Sequence, residues 1–381
     1  MRSLKTVFGV VLSLILISNI WTISKWSESR GVYDDICYLR QAHLFKRFGA
    51  SGLDTNFVRD DDQYLSRKLR EINFPAPNDP ARVPCHTPMP ALNKFVLQYP
   101  PGTGIMLALF PEGFQVIPLY VLASLVIFGF ALIALACAST ISSISLAGVF
   151  GIVALYLMIN PTKASYSVAP TMMVCALAGF LTAKLFMDGG RYRMLLTAAI
   201  GLLIGISVNF RLPNLLLSAG YFLFLLVSFL IARNRNNFAR GVWFGLAFLV
   251  GLAPTLIANA INAGSPFSTT YGEADVVAPE LNSAILRQYL GDAQFFLLLI
   301  AAVWAVVLWR SGDRSGTRQV ALVVAGNLAV NLIFFMTHPL FTPYYTIPIA
   351  MLSLWTLLFA TLLRQSPAAA DKSTLPQPAK A

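Results

Sequence analysis

Leu119-Tyr120-Val121-Leu122-Ala123-Ser124-Leu125-Val126-Ile127-Phe128-Gly129-Phe130-Ala131-Leu132-Ile133-Ala134-Leu135-Ala136-Cys137 decides the class of fold. No charge interrupts it, and as helix it is long enough to cross a hydrocarbon core of ~30 Å. Blocks of this kind recur along the chain. Of 381 residues, 56% are hydrophobic and 12% charged, against roughly 25% charged in a soluble domain. The expectation is an all-α polytopic membrane protein.

Ten spans are predicted: 5–23, 115–137, 143–160, 166–187, 192–209, 213–232, 241–262, 293–310, 319–336 and 344–363. The first, preceded by Arg2 and Lys5, resembles a signal peptide, but Trp21-Thr22-Ile23-Ser24-Lys25-Trp26 offers no small-residue cleavage site and reads as an uncleaved span. Connections on one side carry thirteen basic residues: Arg2, Lys5, Arg191, Arg193, Arg233, Arg235, Arg240, Arg310, Arg314, Arg318, Arg364, Lys372 and Lys380. Short connections on the other side carry three, Lys163, Arg211 and Arg287. By the positive-inside rule both termini are expected in the cytoplasm. The net charge of +11 is thereby a matter of topology and anionic lipid, and nucleic acid is not an expected partner.

The long loop 24–94 is exempt from the rule by its length, and with eleven basic and nine acidic residues it is nearly neutral. It holds Asp34-Asp35 followed by the amphipathic stretch Cys37 to Phe48. At 100° per residue Cys37, Leu44, Phe45 and Phe48 share one face, and Arg40, His43 and Arg47 the other. The expectation is a helix in the membrane interface, basic face toward headgroups. The stretch Phe74-Pro75-Ala76-Pro77-Asn78-Asp79-Pro80 should be irregular. Further on, Tyr99-Pro100-Pro101-Gly102-Thr103-Gly104 should start a short apolar helix that cannot span before Pro111. The predicted organisation is one transmembrane domain, 1–363, with an extracytoplasmic region 24–114 carrying the motifs, and a disordered cytoplasmic tail, 364–381.

Asp-Asp-x-x-Tyr (Asp34, Asp35, Tyr38) after the first span and Tyr-Pro-Pro-Gly (Tyr99 to Gly102) before the second resemble the GT-C membrane glycosyltransferases. The similarity is greatest to the branch of protein O-mannosyltransferases and aminoarabinose transferases. Asn160-Pro161, the segment Gly205 to Pro213 and the segment Asn262 to Ser268 fit the same pattern. Two features depart from it: the usual acidic pair is Asp-Glu, and larger members have more than ten spans. The resemblance implies a glycosyltransferase of the cell envelope, in a bacterial inner membrane. It would move a sugar from a polyprenyl-phosphate carrier to a glycan, lipid or protein acceptor on the periplasmic side, with inversion. Asp34 would be the general base, and Asp35 would orient the acceptor or help hold a cation. The growing charge on the leaving phosphate needs a cation, for which Arg211 is the first choice and Arg40 the second, ahead of Lys163 and Arg287. Tyr38, Tyr99, Pro100 and Pro101 would contact substrate, and His338 and Tyr345, at an outer helix end, could line the site.

Asp60-Asp61-Asp62 offers oxygen ligands for a divalent cation. Three consecutive side chains cannot all point inward, however, and a solvated acidic loop is the expected reading; a divalent cation stays open as a cofactor. Cys37 and Cys85 share the long loop and can pair in an oxidising compartment. Cys137 and Cys175 lie in apolar spans as packing residues. No nucleotide-binding glycine pattern is present. A competing function, a flippase or transporter of a lipid-linked saccharide, would call for charges near the bilayer midplane and internal repeats. The acidic residues gather instead in the long loop.

Overall fold

The computed structural model describes residues 1–28, 33–159, 165–187, 192–272, 278–311, 315–338, 341 and 345–364. Lys163, Asn160-Pro161 and the tail after Arg364 lie outside the described residues.

The chain is a bundle of long apolar helices with a folded loop at one end. Among the described residues eight helices are long and apolar enough to cross a membrane. They are α1 (Arg2–Ile23), α5 (Val116–Cys137), α6 (Ile141–Ile159), α7 (Val168–Met187), the run Leu212–Ala232 that ends in α9 (Ala219–Ala232), α10 (Arg235–Ala263), α13 (Ser315–Thr337) and α14 (Thr346–Arg364). A ninth arises if α11 (Ser283–Leu290) and α12 (Phe295–Arg310), bent by 79°, count as one broken span. The remaining expected span is α8 (Arg193–Val208), apolar but only 16 residues long, about 24 Å. Every one of the ten sequence segments thus falls on a helix, while length and composition support eight crossings, or nine.

Glycines and a buried axis set the packing. On α10 the buried residues Phe244, Phe248, Gly251, Thr255, Ala258 and Asn262 recur every three or four positions, a stripe that seats α8. A methyl on Gly205 would run into the Phe248 carbonyl oxygen, and one on Gly251 into that of Leu202. The two backbones touch, so side chains are excluded there. α14 is buried on all sides from Thr346 to Ala360 and forms the core against α7. α1 is peripheral: Val7, Val10, Leu14, Ile17 and Trp21 are exposed along one stripe, the pattern of a lipid-facing helix.

The long loop departs from the expected interfacial helix. Helix α2 (Tyr33–Phe48) does form where the amphipathic stretch lies, but Ile36 to Ala42 and Leu44 are all buried. On the basic face Arg40 is buried and His43 half-buried under the rest of the loop, and only Arg47 is exposed. Helix α3 (Tyr64–Glu71) contributes Leu65 and Leu69, which pack with Ile36 and Val83 into a second small core. A hairpin of β1 (His86–Met89) and β2 (Lys94–Leu97) pairs antiparallel, His86 opposite Leu97 and Met89 opposite Lys94. Cys37 and Cys85 are disulfide-bonded, tying the hairpin to α2. The end of α10 anchors the assembly: Asn262 donates to Leu53 O at 2.8 Å and accepts from Thr55 N–H at 2.9 Å. The Pro-rich stretch is irregular, as its composition requires.

Candidate functional site

Asp34 and Asp35 occupy the first turn of α2, where carboxylates complement the positive end of the helix. Their environments differ. Asp35 is 1% exposed, and its Oδ1 accepts the Tyr166 backbone N–H at 3.1 Å, which binds the start of α2 to the entry of α7. Asp34 is half-buried, and its Oδ1 accepts the Tyr99 hydroxyl at 2.7 Å. Burial first, and the Asp34 charge next, push the Tyr99 phenol far above its ordinary pKa. The phenol stays protonated and serves as a fixed donor.

The Tyr-Pro-Pro-Gly motif is held from two sides. Pro100 and Pro101 are buried and lead into α4 (Gly102–Ala108), the short apolar helix expected there. Gly102 N–H donates to Asn209 O at 2.7 Å, and Thr103 Oγ1 to Phe210 O at 3.2 Å. Gln41 of α2 donates to Tyr99 O at 3.2 Å. Asn209 is itself fixed by its amide, which donates to Gly205 O, Ile206 O and Gly251 O, and by accepting from Thr255 N–H and hydroxyl. The segment after α8 thereby positions both the motif and the next residues, Phe210 and Arg211.

Arg211 is 6% exposed and its guanidinium lies 4.8 Å from the Tyr345 ring centroid, within cation–π range. Tyr38, one turn along α2 from Asp34, stacks on Tyr99 at 4.9 Å. Burial raises the Tyr38 pKa, Arg211 opposes the rise, and Asp34 adds to it. Tyr271, 6.4 Å from Tyr99, is likewise pushed well up by burial, with Tyr38, Tyr345, Arg211 and Asp34 acting on it. Asp34 and Arg211 therefore act electrostatically on the same two phenols. His338 reaches this group through Tyr345, ring centroids 6.4 Å apart, and desolvation lowers its pKa.

The sequence-derived candidates Asp34, Asp35, Tyr38, Tyr99, Pro100, Pro101, Arg211, Tyr345 and His338 thus gather at one end of the bundle. Arg40 is a correction. It has no exposed surface, and its guanidinium donates to Thr55 O at 3.2 Å and Asn56 O at 3.1 Å. It also faces Asp60 at 3.9 Å and contacts His86. It braces the interior of the loop and does not sit at the headgroup surface. Burial lowers its pKa to about 10 against the pull of Asp60. The Asp60–Asp62 run is a turn with Asp61 exposed, as a solvated acidic loop would have it, but each member is held: Asp61 pairs with Arg47, Asp62 accepts from His43 Nε2 at 2.8 Å, and Asp60 accepts Leu65 N–H at 2.9 Å. Arg287 is exposed on α11. Among the described residues no group of three or more His, Cys, Asp and Glu side chains could hold a metal. Tyr271 was missed from sequence; its signal is a tyrosine in the connection just after the Asn262 to Ser268 motif.

Comparison with family models, curated proteins and solved structures finds no match to this chain.

Proposed function

We propose that the chain is an integral membrane glycosyltransferase with a GT-C-like domain of ten spans. It transfers a sugar from a polyprenyl-phosphate carrier to an acceptor hydroxyl on the non-cytoplasmic face. The observation that carries the reading is one cluster of tyrosines with a base and a cation from distant parts of the chain: the Tyr99 hydroxyl donates to Asp34 at 2.7 Å, Tyr38 and Tyr271 pack on the Tyr99 ring, and Arg211 lies over Tyr345.

The chemistry follows from their separate roles. Asp34 takes the proton of the acceptor hydroxyl as that oxygen bonds to the anomeric carbon. The bond from the anomeric carbon to the phosphate oxygen breaks, and the polyprenyl phosphate leaves with the electron pair. Attack opposite the leaving group inverts the centre. Arg211 faces the charge gained by the phosphate, where a preorganised cation is worth most. The Tyr99 hydroxyl orients the Asp34 carboxylate. Asp35, tied to Tyr166 N–H, is a positioning residue that fixes the first turn of α2.

Mass spectrometry of lipids and glycans from host cells lacking the protein tests this reading. A missing sugar increment on one acceptor, restored by the wild-type chain, is the expected result. Unchanged glycans and lipids, with the protein's expression verified in the parent cells, would overturn it.

A further inference from the structure

The opposite end of the bundle carries a second polar feature. α8 and α10 run from there toward the site, since Asn209 and Asn262 at their far ends hold the motif and the loop. Where they start, a cavity of about 300 Å³ is lined by Arg193, Met194, Asn234, Asn236, Asn237 and Arg240. Among these six there is no acidic residue. Neither arginine forms an ion pair among the described residues, and the Arg240 Nε is buried without a hydrogen-bond partner. Arg240 also borders an apolar crevice lined by Tyr221, Phe224 and Phe244, so its guanidinium sits where the polar cavity meets the core.

Two arginines on one cavity repel unless an anion lies between them, and neither α8 nor α10 has an acid in its first turn to offset them. The candidate span α10 begins here, so a helix crossing a bilayer would put the cavity near its surface. Leu195 and Phe238, next in sequence to lining residues, and Trp243, one turn beyond Arg240, are exposed apolar side chains, and tryptophan is enriched where helices meet a membrane interface. Arg233 and Arg235, both exposed, add positive charge beside it.

We propose that this cavity seats the phosphate headgroup of an anionic glycerophospholipid from the leaflet at that end. The acyl chains would stay in the bilayer against the exposed apolar flank. Charge selects the ligand, since the arginines are matched by an anionic phosphate and a zwitterionic headgroup brings its own cation. A lipid is favoured over a free phosphate because exposed apolar side chains stand within one turn of the lining on both helices, Leu195 on α8 and Phe238 and Trp243 on α10. This site is independent of the glycosyl-transfer reading.

The test is native mass spectrometry of the full-length protein in detergent. It would be titrated separately with dioleoylphosphatidylglycerol, dioleoylphosphatidylcholine and inorganic phosphate. The wild type should retain the anionic lipid about 10- to 100-fold more strongly than the zwitterionic one, the scale of charge-assisted contacts, and Arg193→Gln with Arg240→Gln should erase that preference. Asn236→Asp, at an exposed position of the lining, serves if the double variant does not fold, and should likewise abolish the preference. Equal retention of both lipids by the wild type would overturn the proposal. So would a preference unchanged in the variants, or inorganic phosphate binding as tightly as the anionic lipid.

Discussion

Replacing Gly102 with alanine puts a methyl where three atoms of Asn209 already stand. Its Cβ would lie 2.7 Å from the Asn209 Cβ, 2.7 Å from its carbonyl oxygen and 2.8 Å from its carbonyl carbon. Ordinary contact begins near 3.4 Å, so one backbone must retreat by roughly 0.7 Å. Asn209 cannot easily give way, because its side chain is held by Gly251 O at 2.7 Å and by Thr255 N–H and hydroxyl at 2.9 and 2.8 Å. The retreat falls on α4 and stretches the Gly102 N–H to Asn209 O bond of 2.7 Å. Overpacking costs about 1–3 kcal/mol, and the weakened hydrogen bond about 0.5–1.5 kcal/mol. The expected destabilisation is therefore about 2–4 kcal/mol, with Tyr99 displaced from Asp34. Unfolding midpoints in detergent and transfer rates would be compared for Gly102→Ala and Gly129→Ala. A methyl on Gly129 would meet nothing within 4 Å, so its alanine should be neutral or slightly stabilising. A Gly102→Ala protein as stable and as active as wild type would refute the idea that this close approach sets the site.

Three further outcomes are expected. Converting Cys37 and Cys85 to serine removes a bridge across 48 positions, which by chain entropy costs about 4 kcal/mol; limited proteolysis should cut the loop faster, and unchanged cleavage would count against it. Burial, then the Arg40 charge, lower the His86 pKa from 6.5 to about 3, so the unfolded loop binds the proton first. Its contribution to stability is complete above about pH 6.5 and falls as the pH drops toward 3; protease sensitivity should rise over that window, and less steeply in His86→Gln, an equal slope in the two proteins being the contrary result. Arg211→Ala should lower turnover on a polyprenyl-phosphate sugar by about 10- to 100-fold. Arg211→Lys should recover part of it, because lysine keeps the charge but stacks poorly on Tyr345; kinetics unchanged in the alanine variant would reduce Arg211 to a helix anchor.

The helices were legible because a bilayer demands long uninterrupted apolar runs, and each predicted segment falls on one. The meeting of Asp34 with Tyr99 was legible too, through two short motifs flanking the loop. The position of Arg40 was not. A helical wheel shows which residues share a face but not what covers that face, and here it is covered by chain 15 to 46 residues further on, Thr55 to His86. The partners of the Asp60–Asp62 run were hidden for the same reason: Arg40, His43 and Arg47 lie on α2, and pairing across a fold leaves no local pattern. Tyr271 escaped because a tyrosine in a connection between helices is common enough to carry no signal until its neighbours are known.

Asp34→Asn tests the central claim most directly. The amide keeps the shape of the carboxylate, and its oxygen can still accept the Tyr99 hydroxyl now bonded at 2.7 Å, so the fold is retained while the base is lost. Transfer from a polyprenyl-phosphate sugar, measured on purified protein at equal abundance, should fall by about 10²–10⁴-fold. An Asp34→Asn protein that transfers sugar at the wild-type rate would contradict the account.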